Sequence, residues 1–322
     1  MRAWRTHALG EPSDVLALEE VDEPAVRDGH VLIDVEATAL NFPDVLLLRG
    51  QYQEKPPLPF TPGLEAAGRR VDTGEAVIAL AGLPDGGLAE RISVHESSVL
   101  PVPVSLTAAE AAALPITYHT GHFALHHRAS LQAGETLLVH AGAGGVGSAA
   151  IQLGKAAGAR VIATAGGPAK VKTCLDLGAD VAVDYSSEDF VAAVKDETGG
   201  DGADVIYDPV GGDVFDKSRK CIAYNGRLLV IGFTSGRFPD APANHVLIKN
   251  YAVVGVHWGL SRREEPHLLR EIHAALVELA DAGAVKPLIG QEVPFDGDVP
   301  AALEALASRA TVGKIVVTRS LD

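Results

Sequence analysis

The stretch Leu137-Leu138-Val139-His140-Ala141-Gly142-Ala143-Gly144-Gly145-Val146-Gly147 limits what this chain can fold into more than any other. Its apolar start reads as a buried strand, a glycine-rich turn follows, and the Ala-rich Ser148-Ala149-Ala150-Ile151-Gln152-Leu153 reads as an amphipathic helix. Gly142, Gly144 and Gly147 supply the spacing G-x-G-x-x-G. The first glycine allows a tight turn, the second lets a pyrophosphate approach the backbone, and the third lets the helix pack close to the strand. A helix starting there points free N–H groups and its positive dipole end at an anion. Glycine is common in this chain, at 34 residues, so the spacing gains its meaning from the strand before it and the helix after it.

From about residue 135 to 257 strand and helix patterns alternate. Strands are expected at 136–140, 160–164, 181–184, 204–207, 227–232 and 251–256, and helices at 145–157, 168–177, 187–197 and 213–223. Such alternation implies an α/β, doubly wound parallel sheet of the Rossmann type. The connection after Phe233, with Phe238-Pro239-Asp240-Ala241-Pro242, shows no helix pattern. Residues 1 to about 105 read as β-rich: Val31–Ala37 alternates, Val77–Leu80 and Leu88–Val94 look like further strands, and Pro- and Gly-rich turns separate them. That pattern suggests a barrel-like domain. Thr107-Ala108-Ala109-Glu110 is a capping-box pattern opening a helix that stops before Pro115, and Thr117 to about Ala129 reads as helical. After Trp258 a long amphipathic helix is expected at 264–282, then a strand at 293–295, a helix at 298–308 and a final strand at 314–318. The expected division is 1–122 with 259–322 as one domain and 123–258 as the dinucleotide-binding domain.

A formal net charge of -15 argues against nucleic acid or an anionic membrane as partner, so any phosphate site must be local. The two cysteines, Cys174 and Cys221, form no C-x-x-C and read as small buried apolar residues in a reducing compartment. The N-terminus lacks an apolar signal core, and no apolar run is long enough to span a bilayer. The expected location is the cytoplasm.

The end of the second strand reads the adenosine ribose, and an acid there accepts from the 2′-hydroxyl of NAD and repels a 2′-phosphate. Ala165 occupies that point, Lys170 follows one turn later, and Tyr185 comes at the end of the third strand. An absent acid with a cation and a phenol nearby favours NADP over NAD.

Further motifs carry a resemblance that runs nearly end to end. They are Asn41-Phe42-Pro43-Asp44, Gly50-Gln51-Tyr52, Pro62-Gly63-Leu64-Glu65-Ala66-Ala67-Gly68, Gly134-Glu135-Thr136, His140 through Gly147, Leu177-Gly178-Ala179-Asp180, Asp208-Pro209-Val210-Gly211-Gly212 and Gly313-Lys314. On these the chain resembles the zinc-free quinone oxidoreductases (zeta-crystallin-like) of the medium-chain dehydrogenase/reductase superfamily. The resemblance implies a GroES-like barrel domain from both chain ends around a central Rossmann domain, and a homodimer. It places the pyrophosphate over Gly144, Gly145, Val146 and Gly147, the 2′-phosphate at Lys170 and Tyr185, and Asn41, Tyr52 and Thr120 near the nicotinamide and substrate. Phe233 and Lys314 join the cofactor set, and His257-Trp258-Gly259 should border the same pocket. In the alcohol dehydrogenase branch zinc ligands stand where Asn41 and Leu64 stand here, and leucine cannot bind a metal; no zinc is expected. Gly166-Gly167 stand where relatives often carry serines, and Leu46 where some carry a tyrosine.

Asn41, Pro43 and Asp44 are also ordinary turn and cap chemistry, and Asp44 reads as structural. His119, His122 and His126 share one helix face, close to His127, but no carboxylate or cysteine accompanies them as a metal set would require. The function expected is NADPH-dependent hydride transfer to a quinone, with Asn41 and Tyr52 hydrogen-bonding the acceptor oxygen as it becomes anionic. Reduction of an enoyl thioester or other α,β-unsaturated carbonyl is the alternative, and a non-catalytic NADPH-binding protein a further one.

Overall fold

Short antiparallel strands build the first hundred residues into sheet. In the computed structural model, which describes residues 1–321, β1 (Arg2–Thr6) pairs with β2 (Leu16–Glu20). The larger sheet contains β3 (His30–Ala39), β4 (Glu65–Arg70), β5 (Ala76–Leu80), β6 (Arg91–His95) and β7 (Val99–Pro101). Along β3 the side chains of Val31, Ile33 and Val35 are buried and their neighbours half-exposed, the period of two expected of a strand with one covered face. Two apolar clusters fill this unit, one with Ile33, Val77 and Ile92, the other with Trp4, Leu47, Phe60 and Phe295.

The second unit is the parallel sheet that the alternation of elements implies. Its strands are β8 (Thr136–Val139), β9 (Arg160–Ala165), β10 (Val181–Asp184), β11 (Ala203–Asp208), β12 (Ile222–Val230) and β13 (Ala252–Gly255). They lie in the order β10-β9-β8-β11-β12-β13, the doubly wound order with its switch point between β8 and β11. The chain then returns to the first unit through β14 (Ile289–Pro294) and β15 (Lys314–Thr318), and β15 pairs with β3. Among the described residues no helix is long and apolar enough to cross a membrane.

Several boundaries differ from expectation. The compact units are Met1–Ile116 with the segment from Lys286 onward, and Thr117–Val285, so residues 117–122 and 259–285 belong with the parallel sheet. Helix His267–Asp281 explains the second shift: it buries Leu268, Leu269, Ile272 and Leu276, and its His273 hydrogen-bonds His119 of the same unit at 3.1 Å. The helix expected at 213–223 ends at Ser218, because Ile222 already pairs with Ala203 in the sheet. A helix at Ala243–Lys249 was not expected; it buries no residue, so it has no apolar stripe to read. Residues 258–264 form a separate short helix ahead of the long one. The helical stretch after Leu114 is wound as π-helix at Pro115–His119 and Phe123–Arg128, a loosening that favours neither apolar periodicity nor any residue type.

Candidate active site

The β8 turn is built by contacts that leave no room for side chains. A Cβ on Gly147 would lie 2.1 Å from the carbonyl oxygen of Ala141, so helix Gly145–Ala156 meets the strand backbone there as only glycine permits. A Cβ on Gly142 would lie 2.8 Å from Sγ of Cys174. Gly144, Gly145 and Val146 are the half-exposed members, and a Cβ on Gly144 would meet nothing closer than 3.3 Å. The turn therefore presents a bare backbone at the start of a twelve-residue helix, an arrangement that fits a pyrophosphate.

His140, just before the turn, is buried and bridges three elements. Its Nδ1 lies 2.9 Å from Oγ1 of Thr164 and its Nε2 2.8 Å from Oγ of Ser218. Ser218 donates its own proton to the carbonyl of Val214. His140 therefore carries its proton on Nε2 and accepts from Thr164 at Nδ1. Burial pushes this imidazole down to about 3, so it is a neutral brace beneath the turn.

At the end of β9, Ala165 is buried and Gly166 begins the next turn. A Cβ on Gly166 would lie 2.7 Å from the phenol oxygen of Tyr185, so the tyrosine lies across this glycine. Tyr185 is 57% exposed, and Lys170 is half-exposed in the first turn of helix Pro168–Asp176. Asp184, which sequence reasoning passed over, is the organiser of this corner. Its Oδ1 accepts from the N–H groups of Gly167 (2.9 Å) and Ser186 (3.0 Å). The Ser186 hydroxyl, followed by the Gly167 amide, holds the carboxyl below the usual range. The signal was its place at the end of the third strand, one residue before Tyr185.

Two strands further, Asp208 ends β11. Its Oδ1 accepts from Val210 and Gly211 and shapes the turn, while Oδ2 is buried without a partner; burial pushes this carboxyl up to about 6. Phe233 stands in the loop three residues past β12, edge-on to Phe238 with ring centroids 4.8 Å apart. Thr120 is half-exposed between the two π-helical segments. The histidines around it pack ring against ring, with His122 and His126 centroids 4.3 Å apart. Among the described residues no three or more His, Cys, Asp or Glu side chains are grouped to hold a metal ion.

In the first unit, Asn41 begins helix Phe42–Leu48 and Asp44 caps it: Oδ2 of Asp44 accepts from the Asn41 N–H at 2.8 Å, and Oδ1 from the Gly63 N–H at 2.9 Å. Burial nevertheless pushes Asp44 up to about 6 against these two bonds and the nearby Lys314. Asn41, expected near the substrate, and Lys314 are engaged with each other inside this unit. The amide of Asn41 donates to the carbonyl of Ala39 (3.1 Å) and to Oε1 of Glu65 (2.8 Å), so both its protons are committed inside the protein. Lys314, expected with the cofactor, is buried, and donates to the carbonyl of Leu40 (2.8 Å), Oδ1 of Asn41 (2.6 Å) and Oε1 of Glu65 (2.9 Å). An ammonium has three protons, and these three acceptors use them all. Glu65 is completed by the N–H of Ile116 at 2.6 Å on its second oxygen.

This knot sits where a zinc branch would place ligands, and its residues do not fit zinc. Leu64 packs on the apolar cluster, Asn41 is saturated, and both oxygens of Glu65 and of Asp44 are already accepting. Tyr52 is half-buried against the same cluster. Burial, then Glu54 and Asp44, push its phenol above the usual value, which keeps its proton on as a donor.

Comparison with known proteins matches this geometry. Residues 27–104 match the family model for the alcohol dehydrogenase GroES-like domain, and residues 145–274 the one for zinc-binding dehydrogenases. The quinone oxidoreductase-like protein 2 homolog of Nematostella vectensis is 38% identical, over 98% of this chain and 88% of its own. Among solved structures, the quinone oxidoreductase of Thermus thermophilus, determined also in complex with NADPH, is 35% identical with a TM-score of 0.86, covering 99% of this chain and 100% of that one. The CurK enoyl reductase is 28% identical with a TM-score of 0.85, over 98% of each chain. With a GroES-like unit, a Rossmann unit and full-length relatives of this kind, the chain belongs to the quinone oxidoreductase-like, zeta-crystallin-like family of the medium-chain dehydrogenase/reductase superfamily.

Proposed function

We propose that this oxidoreductase uses NADPH to reduce a quinone without a metal. The observation that carries the reading is the saturated knot of Asn41, Glu65 and Lys314: it removes every free ligand from the zinc position, and polarisation of an acceptor oxygen passes to hydrogen-bond donors. The NADPH complex of the Thermus thermophilus relative supports the cofactor, as do Ala165 in place of an acid and the nearby Lys170 and Tyr185.

In this reading the N–H groups from Gly145 to Gly147 bind the pyrophosphate, Gly142 and Gly144 give it a bare approach, and Lys170 and Tyr185 hold the 2′-phosphate. When bound, the reduced nicotinamide supplies a hydride. Phe233 and Thr120 border the nicotinamide end. Tyr52 donates to the acceptor oxygen as it gains charge, and its raised pKa keeps the proton in place until then. Asn41 and Lys314 act behind it as parts of the scaffold.

Reduction of an enoyl thioester or another conjugated carbonyl is the second reading, favoured by the likeness to the CurK enoyl reductase. NADPH and NADH oxidation measured against a quinone panel and an enoyl-thioester panel separates them. Turnover restricted to enoyl thioesters replaces the first reading with the second, and cofactor binding with no turnover on either panel leaves a non-catalytic NADPH-binding protein.

We infer a cytoplasmic homodimer. β13 is the edge of the parallel sheet, and Leu247 and Ile248, in the helix just before it, are 79% and 80% exposed. A monomeric mass in solution overturns this. Cys174 and Cys221, both buried and unpaired, suit a reducing compartment.

A further inference from the structure

The second unit contains a polar cluster that the proposed reaction does not use. His119, at the end of the first π-helical segment, is fully buried, and its Nε2 lies 3.1 Å from Nδ1 of His273 on helix His267–Asp281. The indole of Trp258, the first residue of helix Trp258–Glu264, meets the His119 ring edge-on at 5.8 Å between centroids. One imidazole thus joins three helical segments. Its other nitrogen, Nδ1, is buried with no hydrogen-bond partner.

That unpartnered atom determines the tautomer. A buried lone pair without a donor costs less than a buried N–H without an acceptor. His119 therefore carries its proton on Nε2 and donates to Nδ1 of His273. Neither ring can then take a second proton in place. On His119 it would sit at Nδ1 with nothing to accept it; on His273 it would set two N–H groups against each other. We propose that the His119–His273 hydrogen bond is a proton-sensitive latch, which holds the start of helix Trp258–Glu264 in place near neutral pH and releases it on acidification.

The surroundings work the same way. Burial is the largest influence holding His119 neutral; His273, Arg262 of helix Trp258–Glu264 and His122 add repulsion for a cation. His122, one turn on, faces His126 and His127 and has its own buried Nδ1 without a partner. Glu271 of the long helix approaches the outermost of these rings, His127, at 4.0 Å, and not His119. Acid therefore brings several like charges to one packing point, and the shortest way to relieve them is to part Trp258 from His119.

Amide hydrogen exchange of the whole chain between about pH 7 and pH 4.5, corrected for the intrinsic pH dependence of exchange, tests this. Opening of residues 258–264 should rise about tenfold per pH unit below the free imidazole value, ahead of any loss of protection in β8, β9, β11 and β12. In His119→Gln/His273→Gln, where an amide pair can hydrogen-bond but cannot charge, the rise should vanish. Should that variant fail to fold, His273→Gln alone must reduce the rise. Trp258 fluorescence in a Trp4→Phe background, which leaves one tryptophan, should report the same transition reversibly. Flat protection of 258–264 across this range overturns the latch. So does an unchanged rise in the glutamine variants, or loss of protection in step with the sheet strands.

Discussion

Nζ of Lys314 lies 2.6 Å from Oδ1 of Asn41, and the same ammonium reaches Oε1 of Glu65 at 2.9 Å. All three groups are buried, and each is the other's reason to be there. An amide whose oxygen receives a lysine cannot flip, so the two Nδ2 protons of Asn41 stay on Ala39 and Glu65.

Lys314→Met should therefore act on folding before it acts on cofactor. It leaves the Glu65 carboxylate buried without its cation, and loss of one partner of such a pair costs about 3–5 kcal/mol. Chemical denaturation should show that loss, while NADPH affinity of the folded fraction stays close to that of the parent. A large fall in affinity at unchanged stability would return Lys314 to the cofactor site.

Tyr52→Phe removes a donor and little volume. On the proposed mechanism kcat should fall on the order of a hundredfold, the cost of one transition-state hydrogen bond. NADPH affinity and thermal midpoint should stay nearly constant. Unchanged kcat with both acceptor panels would remove Tyr52 from the chemistry.

The corner at Gly166 gives a contrasting pair. In Gly166→Ser the new Cβ falls 2.7 Å from the Tyr185 hydroxyl, but Tyr185 is largely exposed and its ring can swing away. Stability should change by less than about 1 kcal/mol, and the ratio of NADPH to NADH affinity should change with Tyr185. Lys170→Ala should cut that ratio about tenfold or more, the value of a charge-assisted hydrogen bond. An unaltered ratio in both variants would refute the assignment of the 2′-phosphate to this corner. Gly147→Ala has no such freedom. Its Cβ meets backbone at 2.1 Å, and about 1–3 kcal/mol of stability should be lost, with cofactor binding weakened as the helix is pushed off the strand.

Acid should destabilise the fold, and the sign follows from opposing groups. His119, His122, His126 and His140 are all held below the free value of 6.5, His122 and His140 at about 3. Below 6.5 the unfolded chain takes up protons that the native chain refuses, so stability falls with pH until the native values are reached. Asp44 and Asp208, raised from 3.8 to about 6, do the reverse: between those values the native state binds protons first, which favours folding in acid. With His245, also held low, five histidines outweigh two carboxyls, and each net proton contributes about 1.4 kcal/mol per pH unit. Denaturation midpoints measured from pH 7 to 4 should decline throughout; a rise toward pH 5 would mean that the carboxyls dominate.

The Rossmann turn was legible because its causes are local. Gly144 and Gly147 lie within six residues of Ala141, which they touch, and strand and helix periodicities on either side are strong. That Leu64 cannot ligate a metal was legible too, since its side chain offers no donor atom. What sequence could not show were pairings across long separations. Asn41 looks like a free donor until Lys314 arrives from 273 residues away, and Lys314 looks like a cofactor lysine until its three acceptors are seen. Asp184 was hidden by the same logic: a carboxylate reads as repulsive to phosphate until its oxygen is found closing the turn at Gly167. The helix at Ala243–Lys249 escaped for another reason. Of its apolar residues only Val246 packs on the core, and periodicity detects only faces that are buried.

The discontinuity of the first unit also sets an order of events during synthesis. The parallel-sheet unit, Thr117–Val285, is one uninterrupted segment and can fold as soon as it clears the ribosome. The first unit cannot finish by then, because β15 and the cation that neutralises Glu65 are made only after that segment is complete. Until β15 emerges, Glu65 must stay hydrated and the edge of β3 that β15 will cover must stay open. A nascent chain of this protein is thus a finished nucleotide-binding unit tethered to an unfinished barrel, and termination before that strand would leave the barrel with an open edge and an uncompensated acid.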